Sequence, residues 1–196
     1  MALLVVAAVA LGAAVLAAAN RNDDDAPVGG GSRFAGAVMP SGLRAPDFRL
    51  PNQDGGVVSM RRLRGRPVVV TFLYTHCRDT CPAEAQTVRG ALDDLGHDVP
   101  ALAISVDPPR DTEESARSFL VRQHLTGRMD FVLGGRAELR RVWQGFHVRP
   151  QSASEEHQAR VTLVDARGHQ RVGFPAFAAT PEGLAHDLAL LEREAG

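Results

Sequence analysis

The chain has 196 residues, which suits one domain of ordinary size with residues to spare. Hydrophobic residues make up 44% of it and charged residues 23%, so a packed core is expected and a wholly disordered chain is excluded. The net charge of −1 indicates no broad basic face, which argues against nucleic acid as a partner. All 22 basic residues are arginine, so chemistry that requires a lysine is excluded. The two cysteines are too few for a four-cysteine zinc site or a disulfide-dense scaffold.

Residues 2–19 form an uninterrupted run of apolar or small residues without a charge. As a helix this run would span about 27 Å, close to the roughly 30 Å hydrocarbon core of a bilayer. No basic residue precedes it, which is atypical of a signal peptide, although Ala17–Ala19 offers small residues for cleavage. We therefore expect a transmembrane anchor or a signal segment over residues 1–19. Either interpretation places the folded part outside the cytoplasm, and an anchor predicts a single-pass protein of the cell membrane.

Residues 20–43 are predicted to form a flexible linker. This stretch contains Gly29–Gly31, two prolines and few large apolar residues, a composition typical of a flexible coil. The folded domain is therefore expected over residues 44–196, and its first element is expected near Phe48.

From residue 44 onward the chain alternates strand and helix patterns. The strands are predicted over 68–74, 101–106 and 131–133, and in two hairpins, 48–50 with 57–59 and 161–164 with 171–174. Helices are predicted to begin at Cys81–Pro82, at Asp111 with Glu114 as a capping box, near Leu139, and at Thr180–Pro181. This order predicts a thioredoxin-like α/β sandwich, with a central mixed β-sheet flanked by helices and a membrane helix N-terminal to it.

Cys77 and Cys81 lie where the strand over 68–74 ends and a helix begins, a place where ligand sites of open α/β sheets collect. Pro82 suits the first helical position, which places Cys81 at the N-cap, where free amide hydrogens and the positive helix end stabilise a thiolate. At this spacing the two sulfurs can bind one metal ion or form a disulfide with each other. Thiolates are soft ligands that select Cu(I), with zinc as a competitor.

Two thiolates leave a three- or four-coordinate ion short of ligands, so a histidine is expected to complete such a site. Among the seven histidines, His157 is the favoured candidate, because it closes the polar loop 151–156 shortly before the strand Val161–Val164. His147 is a weaker candidate, and the remaining histidines are interpreted as side chains without a role in the site.

Residues 68–82, with the core Tyr-Thr-His-Cys-x-Asp-x-Cys-Pro, resemble the Sco/SenC family of copper-binding cytochrome c oxidase assembly proteins, which are thioredoxin-like. The segment from Ser105 to Thr112 is similar to a second block of the family. His157, eight residues before Asp165, matches a third block, in which the family places its histidine copper ligand. The resemblance runs from about Ala45 to the last helix.

The resemblance implies that Cys77, Cys81 and His157 hold one copper ion per domain, as Cu(I) or Cu(II). Three positions depart from the family pattern: Arg78 and Ala166 stand where proline is common, and Gln158 stands where serine or threonine is usual. These departures leave the three ligand positions intact. The positive charge of Arg78 beside the cysteines favours a lower thiol pKa or thiol–disulfide exchange.

By resemblance, the protein is a membrane-tethered copper chaperone that delivers copper to the binuclear copper site of a haem–copper (cytochrome c) oxidase subunit. Other copper chaperones and thioredoxin-like reductants are further expected partners, and such a carrier is not an enzyme in the turnover sense. The alternative is an extracytoplasmic thiol–disulfide oxidoreductase that keeps the acceptor's cysteines reduced, with Cys77 and Cys81 as the redox-active pair. The Cys-x3-Cys spacing argues against an ordinary thioredoxin. Tyr74 and Val70 stand where a peroxiredoxin has threonine and proline.

Two carboxylates near the cysteines have local interpretations. Asp79 lies between the cysteines and orients the loop, meets a partner, or accepts hydrogen bonds from backbone amides near the helix start. Asp107 follows the strand over 101–106 and is expected to shape the turn at Pro108–Pro109.

Overall fold

The computed structural model describes residues 32–150 and 159–196, and within these ranges it contains eight strands and four α-helices. The strands are β1 (Ala37–Val38), β2 (Arg49–Pro51), β3 (Val57–Ser59), β4 (Val68–Leu73), β5 (Ala101–Ser105), β6 (Asp130–Val132), β7 (Arg160–Val164) and β8 (Gln170–Pro175). The α-helices are α1 (Thr80–Leu95), α2 (Glu113–Arg122), α3 (Arg136–Gly145) and α4 (Pro181–Ala195), and Met60–Leu63 and Ala176–Ala178 form short 3₁₀ segments.

Six strands form one mixed sheet in the order β1-β8-β7-β4-β5-β6. β4, β5 and β6 run parallel to one another, whereas β7 is antiparallel to β4 and to β8. β2 and β3 form a separate antiparallel hairpin. This arrangement confirms the predicted thioredoxin-like sandwich with a central mixed sheet, and it places β4, whose carboxyl end leads to the cysteines, in the interior of the sheet.

Both faces of the sheet are covered, because successive residues of the fully buried strand β4 point to opposite sides. Val69 and Leu73 pack into a core with residues of α1, α2 and α4. Val70 and Phe72 pack into a second core with residues of α3 and of the β2–β3 hairpin. An uninterrupted apolar run in the sequence therefore corresponds to a strand buried on two sides.

The folded unit begins earlier than the sequence predicts. Residues 34–43, expected as part of a flexible linker, include strand β1, which pairs antiparallel with β8. Phe34 is buried in the core beside α4, and the fully buried carboxylate of Asp187 accepts hydrogen bonds from the backbone N–H groups of Ala35 (2.8 Å) and Gly36 (3.0 Å). The composition of residues 20–43 did not predict this ordered segment, because the residues that hold it in place are more than a hundred residues away in the sequence.

Two helix starts also differ from the prediction. Helix α1 begins at Thr80 with Asp79 at the N-cap, so Cys81 lies in the first turn and not at the cap. Helix α2 begins at Glu113, and its cap is Thr112, whose side chain accepts a hydrogen bond from the N–H of Ser115 at 3.1 Å. The expected Asp111–Glu114 capping box is therefore wrong by one residue, and the carboxylate of Asp111 is free to bond elsewhere.

Among the described residues, no helix is long and apolar enough to cross a bilayer. The expected anchor or signal segment, residues 1–19, lies outside the described ranges.

Candidate metal centre

The cysteines lie at the carboxyl end of the central strand β4. After Leu73 the chain makes a tight turn in which the N–H of Cys77 donates to the carbonyl of Tyr74 at 3.3 Å, and α1 starts three residues later. The turn carries Cys77 to the N-terminal end of α1, while Cys81 belongs to the helix itself. The strand therefore fixes one sulfur and the helix fixes the other.

The two thiols lie close together and differ in exposure. The backbone N–H of Cys81 donates to the Sγ atom of Cys77 at 3.2 Å, and no disulfide joins the pair. Cys81 is fully buried against the helix-covered core, whereas Cys77 is half-buried at the surface of the turn. An incoming ion or disulfide therefore meets Cys77 first.

The acidities of the two thiols differ in the same sense. Burial opposes ionisation of Cys77, but hydrogen bonds from the Cys81 thiol and amide, the Asp79 amide and the Tyr74 side chain together hold its pKa below the ordinary value. Burial raises the pKa of Cys81, and its hydrogen bond to Cys77 raises it further. The N-terminal end of the helix thus favours a thiolate at Cys77, and not at Cys81 as the predicted N-cap position implied.

A buried carboxyl lies one helical turn beyond Cys81. Glu84 is 3% exposed, accepts a hydrogen bond from the Thr71 hydroxyl of β4, and leaves its Oε2 atom without a partner among the described residues. Burial raises the pKa of Glu84 to about 7. Glu84 was not among the predicted site residues, because only its i, i+3 spacing from Cys81 indicates that it faces inward.

A second buried carboxylate lies under the turn that precedes Cys77. Asp111 accepts hydrogen bonds from the backbone N–H of Thr75 (2.9 Å), the hydroxyl of Thr75 (2.8 Å) and the hydroxyl of Ser105 (2.6 Å). Burial raises the pKa of Asp111 in spite of these bonds. The group therefore ties the end of β4 to the end of β5, where a helix cap was expected.

The structure tests some of the interpretations of two other acidic residues, Asp79 and Asp107. Asp79 is exposed at the N-cap of α1 and makes no side-chain capping bond, so its carboxylate is not the amide acceptor that one interpretation required. Asp107 shapes the turn as expected: its carbonyl accepts from the N–H groups of Arg110 and Asp111, each at 3.0 Å, and its carboxylate pairs with Arg110. Arg78 is exposed next to Cys77.

His157, the predicted third ligand, lies outside the described residues, as does Gln158. Within residues 32–150 and 159–196, no three side chains of His, Cys, Asp or Glu come together as a metal site. The structure therefore brings together Cys77 and Cys81, and His157 as a ligand stays a prediction. The two sulfurs are a soft donor pair, suited to a monovalent copper ion or to thiol–disulfide exchange.

Comparison with known proteins identifies the relatives of this chain. A sequence model of the family described as SCO1/SenC matches residues 40–191. The chain belongs to the SCO1/SenC family. This match runs from just after β1 into α4, and it includes both cysteines.

Individual SCO1/SenC relatives agree with this placement. The mitochondrial SCO1 homolog 1 of Arabidopsis thaliana is 31% identical over 113 residues, which are 56% of this chain and 33% of that protein. Protein SenC of Rhodobacter capsulatus is 40% identical over 68 residues, which are 33% of this chain and 31% of that protein. The chain thus matches about a third of the length of these two curated relatives.

Solved structures of the family share the fold. The structure of Bradyrhizobium japonicum ScoI with copper bound is 30% identical, has a TM-score of 0.61, and the match covers 76% of this chain and 99% of that one. Arabidopsis thaliana ScoI with copper bound has a TM-score of 0.68 at 24% identity, and the match covers 76% of this chain and 98% of that one. The second likeness, at its lower identity, concerns the fold alone.

Proposed function

We propose that this protein is a membrane-tethered copper chaperone, which carries one copper ion on Cys77, Cys81 and His157. Its acceptor is the binuclear copper site of a haem–copper oxidase subunit, and its folded domain lies on the extracytoplasmic side of the cell membrane. The observation that carries the proposal is the thiol pair at the end of β4, in which the Cys81 amide lies 3.2 Å from the Cys77 sulfur. A relative of the same family and fold, 30% identical, has been solved with copper bound.

The described part of the site suits Cu(I) as a cargo. Hydrogen bonds hold the pKa of Cys77 below its ordinary value and the side chain is half-buried, so it offers an accessible soft ligand that loses its proton more easily than an ordinary thiol. Cys81 is buried and disfavours ionisation on its own, so its proton leaves only when the ion replaces it. A site that is half-open at Cys77 and closed at Cys81 allows an acceptor thiolate to approach from one side, as transfer by ligand exchange requires.

His157 completes the proposed ligand set. Its imidazole must be neutral to bind, so protons compete with Cu(II) for this ligand. As pH falls below about 6, we expect Cu(II) to be released.

The first experiment is a Cu(I) competition titration of Cys77→Ser and Cys81→Ser. Each variant retains one sulfur. We expect the Cu(I) affinity of each to fall by more than roughly 100-fold, the upper end of the loss caused by changing a residue that supports a metal ligand. Thr80→Ala, at the exposed first residue of α1 between the cysteines, is the matched control and keeps wild-type affinity. Full affinity in either cysteine variant would remove the pair from the site.

Thiol–disulfide exchange is the second candidate function, because the asymmetry of the pair also suits it. An accessible thiolate attacks a disulfide, and the buried thiol next to it resolves the mixed disulfide, so the acceptor is reduced and Cys77 and Cys81 become joined. This reaction needs no imidazole. The two functions therefore differ at His157.

Titration of His157→Ala separates these functions. For a copper carrier we expect loss of stable Cu(II) binding and weaker Cu(I) binding, while disulfide exchange with a small-molecule disulfide continues at nearly the wild-type rate. His147→Ala, at the weaker candidate position, is the control and keeps both properties. If His157→Ala binds Cu(II) as the wild type does, the reductase becomes the better proposal.

A further inference from the structure

We infer that Asp111 is the positioning residue for Cys77: its buried carboxylate holds the turn after β4 so that the Cys77 sulfur meets the Cys81 amide. The inference deepens the proposed copper site. It concerns the geometry of the thiol itself, so it can be tested with or without copper.

The carboxylate of Asp111 is an unusual partner for a turn. It is 7% exposed, and among the described residues no arginine or histidine forms an ion pair with it. A buried carboxylate without a cation is unfavourable unless hydrogen bonds replace its hydration. Here the replacing donors are neutral and come from Thr75 and Ser105, which follow or end the two neighbouring parallel strands β4 and β5. Helix α2 is capped by Thr112 without it.

One oxygen of Asp111 contacts Thr75 twice, and the Thr75 hydroxyl also lies near Ser115 Oγ (3.1 Å) and His76 Nδ1 (2.9 Å). The Oδ1 atom accepts from both the backbone N–H and the side-chain hydroxyl of Thr75, so the backbone position and the side-chain rotamer of this residue are set together. Thr75 lies inside the turn that the Cys77 N–H closes onto the carbonyl of Tyr74. Holding Thr75 therefore holds the start of the segment that presents the Cys77 sulfur.

The other oxygen of Asp111 connects to the core. Its Oδ2 atom accepts from the hydroxyl of Ser105, and the carbonyl of Ser105 accepts from the indole N–H of Trp143 at 2.9 Å. Ser105 is fully buried and Trp143 is 2% exposed, so this side of the link is rigid. Hydrogen bonds thereby connect the turn before Cys77 to β5 and α3, while the Cys81 amide belongs to α1.

Charge and position predict opposite effects of removing this carboxylate. A negative charge near Cys77 disfavours its thiolate. If Asp111 acts through its charge alone, replacing it with a neutral residue therefore makes Cys77 more reactive. An effect through position means that the sulfur loses its amide donor, so that Cys77 becomes less reactive. The two mechanisms also differ between substitutions, because asparagine keeps an oxygen that accepts from Thr75 and alanine does not.

The test is the rate at which iodoacetamide alkylates Cys77 at pH 7, measured by peptide mass mapping in wild type, Asp111→Asn and Asp111→Ala. We expect Asp111→Ala to react about tenfold more slowly, because the Cys77 sulfur moves away from the Cys81 amide, and Asp111→Asn to lie between it and the wild type. Equal or faster alkylation in both variants would overturn the inference. Thr75→Val, which removes the hydroxyl and keeps the N–H, gives a second, independent measurement and is expected to slow Cys77 as well.

Asp187→Asn is the matched control. Asp187 is likewise a buried carboxylate that accepts two backbone N–H bonds, but they come from Ala35 and Gly36, and its other partner is the imidazole of His186. It is expected to lower the thermal midpoint and leave the alkylation rate of Cys77 unchanged. An equal loss of reactivity in this control would show that Asp111 acts only through general stability, and would overturn the inference.

Copper binding gives the second readout, and it separates this inference from the proposed function. We expect Asp111→Ala to bind Cu(I) about 10 to 100-fold more weakly than wild type in a competition titration. If the wild type itself binds no Cu(I), the proposed function fails while the alkylation series still decides the role of Asp111. If the wild type binds Cu(I) and Asp111→Ala binds it equally well with unchanged alkylation, the inference fails alone.

Discussion

The residues around Cys77 act on it through hydrogen bonds more than through a neighbouring formal charge. Against the opposing effect of burial, the groups that lower its pKa are donors on Cys81, Asp79 and Tyr74. Arg78, which departs from the family pattern and was expected to lower the thiol pKa, is exposed, and an exposed charge is screened by water and salt. The local donors, and not this arginine, should therefore set the reactivity of the site.

A comparison of Tyr74→Phe with Arg78→Gln tests this ranking. Tyr74→Phe removes one donor from a half-buried ring of almost unchanged shape, so alkylation of Cys77 at pH 7 should slow several-fold. Arg78→Gln should change the rate by less than about twofold at physiological ionic strength. A larger effect of Arg78→Gln, disappearing in high salt, would restore the charge-based interpretation.

The sequence was informative about the thiols and uninformative about the groups that control them. Cys77 and Cys81 are close in sequence at a strand–helix junction, so their approach follows from local structure. Asp111 reaches Thr75 across 36 residues of sequence, and no local pattern predicts that contact. Its side chain fits a helix-capping pattern equally well, and the competing Thr112–Ser115 pair takes the cap.

At the scale of elements, long periodic segments were predictable and short ones were not. The buried strands β4 and β5, the β7–β8 hairpin and the last helix lie within a few residues of their predicted positions. Strand β1 has two exposed residues and no apolar alternation, so its existence depends on pairing with β8. Attachment of the segment before residue 44 is a tertiary effect, which sequence periodicity does not report.

This attachment predicts a difference between two fragments of the domain. A fragment that starts at residue 44 loses Phe34, β1 and the two N–H donors of Asp187, and leaves that fully buried carboxylate without them. We expect it to be less stable than a fragment starting at residue 32 by at least about 3 kcal/mol, since deleting a core aromatic costs that order and Asp187 keeps only the His186 imidazole as a partner. Urea unfolding of both fragments under reducing conditions measures the difference.

Asp187→Ala provides the control for this comparison. In the longer fragment this substitution should be clearly destabilising, because it removes the acceptor of two buried amides. In the shorter fragment it should cost much less or even stabilise, because the amides are already gone. Equal stability of the two fragments would mean that residues 32–43 contribute nothing to the fold.

At the scale of the whole molecule, some buried acids make the free energy of unfolding rise with pH and others make it fall. Burial opposes ionisation of Asp165, but the N–H of His169 and the guanidinium of Arg171 hold the pKa of Asp165 below its ordinary value. Its stabilisation is present above the unfolded-state pKa and is lost as pH falls through the folded-state pKa. Glu84 behaves in the opposite way, because burial raises its pKa to about 7 from an ordinary value of 4.5.

The sign for Glu84 follows from proton counting. Between pH 4.5 and 7 the folded state holds a proton on Glu84 that the unfolded state has released, so the free energy of unfolding falls as pH rises through this window. Above pH 7 the folded protein contains an ionised carboxylate in the core between β4 and α1. Glu84→Gln retains an oxygen acceptor for the Thr71 hydroxyl and cannot ionise.

We therefore expect the free energy of unfolding of Glu84→Gln, relative to that of the wild type, to be higher at pH 8 than at pH 5. The change should be as much as about 3 kcal/mol, the free energy equivalent of the raised pKa. The measurement is urea unfolding of both proteins at the two pH values with a thiol reductant present. Asp165, Asp111 and Cys77 also titrate, but they contribute equally to wild type and variant, so the difference between the two profiles isolates Glu84. Parallel profiles would show that Glu84 is ionised in the folded protein at both pH values, and that a partner for its second oxygen, such as a water molecule, stabilises the charge.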